Sequence, residues 1–498
     1  MRFIEKYKDV LNKTQYQYGD FLSRIKHGAV VLASAGSGKT LMTLMTPIIL
    51  GEKEFIIIVP AKSLNDIKAE CEKFSSLIPE LANMQNRIYS SSTLSSSNAR
   101  LLETINPRLI VIDEVQDFAD VNTARGKRFF RYLDANLKRT RLVCMSATLV
   151  TLQFKQFFYL MAYALRESSP FLMNEKYVQA YQTLLDGTML IGDKKTEEAK
   201  KSLDRFVGST YVEKMGSAIV GCSHVFTNFV NSTDVPILFK KVTKPESPEI
   251  QEALARLEAE WALPNGELVT DAAVINHAVK TLGCGYYFTT THEDGTAALL
   301  RAKDTIAQFN KAARRSVTYE DGVDSLGVFK KLKASEGRLH TLMTKADEQK
   351  KKLIRETVFI DSAFMVALVK RVLDKTDNLA IWVEHVEAGE FLSKHFNIPF
   401  FRDGKKRVPI TAKRAIFSSK AFYAGKNLQQ FNNAFLLEPT VNPLIFEQLI
   451  SRHHRYGQTK PVTIYFNGTN KQFMAQWIRL RKRSTKLGKL YKRKFKFE

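Results

Sequence analysis

Residues 33–40 read Ala-Ser-Ala-Gly-Ser-Gly-Lys-Thr, an order of small residues, lysine and threonine that suits a bound triphosphate. Gly36 and Gly38, with Ser37 between them, let backbone N–H groups approach phosphate oxygens. Lys39 has the length to reach the β- and γ-phosphates, and the Thr40 hydroxyl can hold Mg²⁺. The usual loop of this kind begins with glycine, and Ala33 stands in that place. Its context is nevertheless right, because the β-branched run before it and the helical pattern after it give the strand, loop and helix that phosphate binding needs. Asp113 and Glu114 close another apolar run, "RLIVIDE". There one carboxylate can hold the Mg²⁺ shell while its neighbour orients and deprotonates an attacking water. Such a site is half a site, since the charge on the γ-phosphate is usually met by an arginine from another lobe or subunit. Gln448, Arg452 and Arg455, spaced i, i+4 and i+7 between a capping Asn442-Pro443 and Gly457, share one face of an expected helix. By spacing alone that face is either a phosphate contact or a solvated basic surface.

These residues need elements to position them. Four apolar runs in the first part of the chain, one before the phosphate loop and three within "EFIIIVPAKS" (54–63), "RLIVIDEVQ" (108–116) and "RLVCMSAT" (141–148), each carry polar residues at the C-terminal end. They read as buried parallel strands whose carboxyl ends converge on one crevice. A second set, "VPILFKKV" (235–242), the strand then helix of 378–396, "RAIFSSKAF" (414–422), "NAFLLEPT" (433–440) and "PVTIYFNG" (461–468), alternates with helical patterns and predicts a second α/β sheet. Between the sets, about 150–235 is helical in pattern, aromatic and basic. Residues 265–355 form an insertion in which "GCGYYFTTTHEDG" suggests a hairpin. The expected organisation is a first lobe over 1–235 with a helical protrusion (about 150–235), a second lobe over 236–476 with the insertion, and a basic tail over 477–498.

With 498 residues, 44% hydrophobic and 25% charged, the chain has the composition of a soluble multidomain protein. Its 75 Lys and Arg against 51 Asp and Glu give a formal charge of +24, which favours a polyanionic partner. Four scattered cysteines indicate neither a zinc site nor a disulfide framework. Charges interrupt the N-terminus where a signal peptide needs an apolar core, and no run approaches the roughly 18 apolar residues of a membrane span. A cytoplasmic or nuclear protein is expected, with no membrane partner. The end, "RLRKRSTKLGKLYKRKFKFE", reads as a nucleic-acid-binding arm through Lys492, Arg493 and Lys494.

The motifs together resemble those of superfamily-two helicases, and of their Swi/Snf branch in particular. Ala-x-x-Gly-x-Gly-Lys-Thr is the form of the phosphate loop in that superfamily, so Ala33 is expected there. Tyr16-Gln17 resembles its Q motif, whose glutamine reads adenine. "DEVQ" resembles motif II, although the Swi/Snf branch usually has histidine where Gln116 stands, and Ser146 to Thr148 resembles motif III. "VPAKSL", with Pro60, Lys62 and Ser63, is similar to motif Ia. Gly425, Asn427, Leu428, Asn442 and Pro443 occupy the places of motif V, and "QLISRHHRYGQ" resembles motif VI. The resemblance implies two RecA-like lobes with ATP and Mg²⁺ in the cleft between them. It makes Arg455 the arginine finger, Arg452 a second γ-phosphate contact and Gln448 a partner for water or phosphate. It adds Gln17, Gln116 and Gly425 to the nucleotide site, and gives Pro60, Lys62, Ser63, Ser146 and Thr148 to nucleic-acid contacts.

The expected activity is ATP-driven translocation on double-stranded DNA. A strand-separating DNA or RNA helicase, a remodeller that displaces a protein partner from DNA, and an ATP-gated clamp that hardly hydrolyses are the alternatives. Glu114 and Arg455 together argue against the clamp, because a pure switch can lose either.

Overall fold

In a computed structural model, the structure describes residues 3–34, 36–95, 100–121, 123–147, 153–188, 193–229, 233–269, 271–316, 338–403, 408–422, 427–455 and 457–497. Two parallel sheets organise these residues, each of six strands. The first runs in the order β3-β2-β4-β5-β1-β6 and comprises β1 (Ala29–Ala33), β2 (Phe55–Val59), β3 (Ile88–Ser90), β4 (Leu109–Asp113), β5 (Arg141–Ser146) and β6 (Val225–Asn228). Its central strands are Val-, Ile- and Leu-rich and buried along nearly their whole length, as expected of parallel strands covered on both faces. Register places Leu32 beside Ser146 and Asp113 beside Met145, so the carboxyl ends of β1, β5 and β4 finish level. The edge of that sheet therefore carries the phosphate loop, Asp113-Glu114 and Ser146 as neighbours.

The second sheet runs β11-β12-β10-β13-β14-β7. Its strands are β7 (Ile237–Val242), β10 (Leu379–Val383), β11 (Phe400–Phe401), β12 (Arg414–Ser418), β13 (Asn433–Leu436) and β14 (Val462–Asn467). The insertion contributes β8 (Tyr286–His292) and β9 (Leu353–Phe359). They pair antiparallel, Tyr286 opposite Phe359 and His292 opposite Leu353. The hairpin expected within "GCGYYFTTTHEDG" does not form, because the chain after Gly295 enters the helix Thr296–Ser316 and the returning strand comes only after the helix Arg338–Lys352.

A further difference lies at the end of the sequence. In place of a basic arm beginning at 477, the helix Lys471–Tyr491 buries Phe473, Trp477, Leu480, Leu487 and Tyr491. It packs against the helix Tyr211–Val220 so closely that a Cβ on Gly216 would fall 2.6 Å from the Lys489 carbonyl oxygen. Phe495 and Phe497 beyond it are buried too. The basic residues alternate with an apolar stripe of helical period, so the helix is amphipathic and one face docks while the other keeps its charge.

Candidate active site

The phosphate loop leaves β1 and enters the helix Lys39–Ile49 through Gly36 and Gly38, at φ of 89° and 87°. Both lie in the left-handed region that glycine adopts without Cβ strain. Gly38 has a second reason to be glycine: a Cβ there would lie 2.4 Å from Gln15 Nε2. Lys39 Nζ donates to the Ala33 carbonyl at 2.9 Å, which holds the ammonium over the loop at the mouth of the helix N-terminus.

Asp113 ends β4. Burial first, and then the neighbouring Glu114 carboxylate, push its pKa up to about 7, while Lys39 opposes the shift. Its Oδ1 is buried without a hydrogen-bond partner. A carboxylate oxygen left this way, in a cleft that a threonine hydroxyl at the start of the helix also lines, suits a divalent cation, so Asp113 and Thr40 fit Mg²⁺. Glu114 follows at φ 55°, ψ 59°, a left-handed conformation that a glutamate adopts only when its surroundings impose it. Gln116 Nε2 donates to Glu114 Oε2, and Gln116 Oε1 accepts from Ser146 Oγ at 2.8 Å. Gln116 thus joins the candidate base to the end of β5.

The second lobe faces these groups across a cleft of about 470 Å³. Ser451, Arg452 and Arg455 line it opposite Gly38, Lys39, Thr40, Asp113 and Glu114. The helix bearing the arginines spans Pro443–His453, capped by Asn442 Oδ1, which accepts from the backbone N–H of Leu444 and Ile445. It ends four residues before Gly457, so Arg455 lies past the helix terminus and not on the i, i+4, i+7 face expected for it. The physical reason is that the terminal carbonyls find partners elsewhere. Leu428 N–H donates to the Arg452 carbonyl at 3.1 Å, Gln458 Nε2 to His453 at 3.0 Å, and Gln429 Nε2 to Arg455 at 3.3 Å. Gln448 is buried on that helix one turn further from the cleft. His453 and His454 diverge, the first to Trp382 and Phe431 and the second to the Val235 carbonyl.

Two expectations change at the rim. Gln17 is exposed, whereas Gln15 is buried, lines the cleft and donates from Nε2 to the Gly38 carbonyl at 3.3 Å. Two helical residues two apart point to nearly opposite faces, and the apolar stripe of this helix holds Gln15 with Tyr18, Gly19 and Leu22. Gln15 also completes a capping box with Asn12, a spacing legible in the sequence. Glu70, on the helix Leu64–Ser75, was not singled out from the sequence. Burial raises its pKa, a hydrogen bond to Thr40 and the charge of Arg455 oppose the rise, and so it stands between the two lobes' functional groups. The stripe Asp66, Ile67, Glu70, Phe74 on the cleft side of its helix is the signal that could have found it.

The residues expected to touch nucleic acid are dispersed. Pro60 is buried and Ser63 lines the ATP cleft. The pKa of Lys62 is pushed down to about 8 by burial and then by Arg452, against the pull of Asp117 and Glu114, which places it by the interlobe cleft. Ser146 is buried on Gln116. Lys492 and Lys494 are exposed, whereas the side chain of Arg493 is 3% exposed and 2.8 Å from Glu447. Thr148 and Gly425 lie outside the described residues.

Two parallel α/β sheets with a phosphate loop on one and a pair of arginines on the other define a two-lobed, RecA-like core with a candidate nucleotide site in its cleft. Residues 13–155 match the DEAD/DEAH box helicase family. It is 31% identical over 141 residues to an uncharacterized ATP-dependent helicase of Schizosaccharomyces pombe, a match covering 24% of this chain and 13% of that protein. The SWI2/SNF2 ATPase core of Sulfolobus solfataricus, solved in complex with dsDNA, aligns over 97% of this chain and 94% of its own. The identity there is 15% and the TM-score 0.34, a likeness that does not by itself place the chain in a branch. Among the described residues no helix is long and apolar enough to cross a membrane.

Proposed function

We propose that the protein hydrolyses ATP in the interlobe cleft and uses the resulting lobe motion to move along double-stranded DNA without separating its strands. The observation that carries this reading is the meeting of Lys39, Thr40, Asp113 and Glu114 with Arg452 and Arg455 in one cleft, because neither lobe alone holds a complete phosphoryl-transfer site. The loop N–H groups and Lys39 bind the β- and γ-phosphates. Mg²⁺ held by Thr40 and Asp113 would neutralise charge on the phosphate oxygens. Glu114, oriented by Gln116, draws the proton from the attacking water, and Arg455 meets the charge that grows on the γ-phosphate. The link from Glu114 through Gln116 to Ser146 supports coupling of that chemistry to the nucleic-acid side of β5.

Translocation requires two lobes that alternately grip a phosphate backbone, whereas strand separation also requires a wedge between base pairs. Among the described residues, the aromatics of "GCGYYFTTT" that could act as one are engaged. Tyr286 and Tyr287 are buried, and Phe288 lies under the Arg355 guanidinium at 4.0 Å. This favours a translocase over a helicase, and the net charge of +24 favours sequence-tolerant backbone binding. ATP turnover measured without nucleic acid and with single-stranded DNA, duplex DNA and RNA tests the reading, together with triplex displacement and fork unwinding. Duplex stimulation and triplex displacement without fork unwinding are expected. Stimulation mainly by single strands with efficient fork unwinding overturns it in favour of a helicase.

A further inference from the structure

We propose that residues 492–497 form a clasp that positions the arginine pair, with Lys496 and Arg493 as positioning residues for Arg455. This rests on the reading of Arg455 as the cation that meets the γ-phosphate.

A helix that ends in the protein interior must find partners for its last carbonyls. At the end of Pro443–His453 one of those partners is Lys496, whose Nζ donates to the His454 carbonyl at 3.0 Å. The peptide carbonyl of Arg455 itself is held by Gln429 Nε2. Two side chains from distant parts of the sequence therefore pin the two consecutive carbonyls that set the direction of the arginine. Burial pushes the Lys496 ammonium down to about 8; Glu447 supports its charge, while Arg455, Arg493 and Arg452 oppose it. Burying an amine among three guanidinium groups is costly, and an apolar side chain would fill the space without that cost. The arrangement is therefore explained by what Lys496 holds.

The same segment also grips the helix near its middle. Arg493 Nη2 lies 2.8 Å from Glu447 Oε2, an ion pair of close approach without hydrogen-bond alignment. The guanidinium sits 4.3 Å from the ring of Phe495 and 4.8 Å from that of Phe229. Phe497 packs on Phe446 with ring centroids 4.8 Å apart. Phe229 follows β6 directly, on the connection from the first sheet to β7 of the second. The clasp thus touches the connection between the lobes and both the middle and the C-terminal end of the helix Pro443–His453, so a change in the angle between the lobes would reach Arg455 through it.

Steady-state turnover at saturating duplex DNA tests this with the full-length chain. Lys496→Met should lower kcat about 10- to 100-fold, the effect of moving a catalytic group by up to about 1 Å, with KM for ATP unchanged within about twofold. Lys496→Arg, which keeps a donor and a charge, should recover most of that loss. Glu447→Gln preserves volume and should lower kcat by a smaller factor, so the inference remains testable if Lys496→Met does not fold. In an Arg455→Ala background, Lys496→Met should cost nothing more, because the group it positions is gone. Full kcat in both Lys496→Met and Glu447→Gln, or an equal loss from Lys496→Met with and without Arg455, would overturn the clasp and leave the arginine assignment standing. Full activity in Arg455→Ala would overturn the assignment itself, and the clasp with it.

Discussion

Lobe 1 presents Lys39 and Thr40 from the start of the helix that follows β1 through Gly36 and Gly38, and Asp113 and Glu114 from the end of β4, with β5 between the two strands. Lobe 2 presents Arg452 and Arg455 from the end of one helix, and that end is held by Gln429, Gln458, Leu428 and Lys496, which belong to other parts of the fold. The phosphate side of the cleft is therefore a local construction, while the arginine side depends on tertiary packing. Substitutions on the first should act through the group they remove; on the second they should act through residues that never touch ATP.

Substitutions can break this comparison at several levels. The largest effect is expected from Arg455→Ala, which should lower kcat by roughly 10³-fold or more with little change in ATP affinity, because its charge is needed chiefly in the transition state. Arg455→Lys should not restore the rate, since an ammonium lacks the guanidinium fork. Single-turnover hydrolysis and nucleotide titration check both, and full activity would return this helix terminus to a structural role.

On the other side of the cleft, Glu114→Gln should reduce turnover by about 10²- to 10⁴-fold while leaving ATP binding intact. Lys39→Ala should instead weaken binding, because it removes the cation that holds the phosphates. Equal binding losses in both variants would show that the two groups do not divide the work as assigned.

A smaller effect separates the two glutamines. Gln15→Ala should raise KM for ATP several-fold, through loss of the contact to Gly38 and of half the capping box. Gln17→Ala should be neutral, and the opposite ranking would restore the motif assignment drawn from resemblance.

The smallest effect is on stability and concerns lobe 2. His453 accepts from Trp382 Nε1 and lies by the Phe431 carbonyl, and burial pushes its pKa down to about 4. A folded-state value below the unfolded one means that the folded state binds fewer protons. The stabilisation is then complete above about pH 6.5 and lost as pH falls toward 4. The thermal midpoint should be flat above pH 6.5 and decline below it. His453→Asn should be less stable at neutral pH but show a shallower acid decline. An unchanged acid slope would acquit this histidine.

Much of the fold was legible because buried parallel strands are continuous apolar runs. Strands β1, β2, β4, β5, β10, β12, β13 and β14 coincide with such runs, whereas β7, with Lys240 and Lys241, is a largely uncovered edge strand. Strands β3 and β11 have three and two residues, too few to show a pattern, and β6 is buried only at Val225 and Phe226. The pairing of β8 with β9 was not legible because 60 residues separate their ends, and nothing local names the partner. Gln15 was legible from its stripe with Tyr18 and Leu22, and the resemblance to a motif drew attention to Gln17 instead.

The sequence by itself determined where the chain turns through positive φ at Gly36 and Gly38, where the helix Pro443–His453 begins and which apolar runs become strands, because these depend on glycine freedom, capping and continuous hydrophobicity within a few residues. Tertiary structure decided where that helix ends, what Glu70 faces and whether the basic C-terminal residues are free. A helix continues until its terminal carbonyls have better partners, and a charged side chain stays in solvent until a buried countercharge or carbonyl is offered. Both depend on residues tens to hundreds of positions away in the chain, and these meet only when the two lobes are folded together.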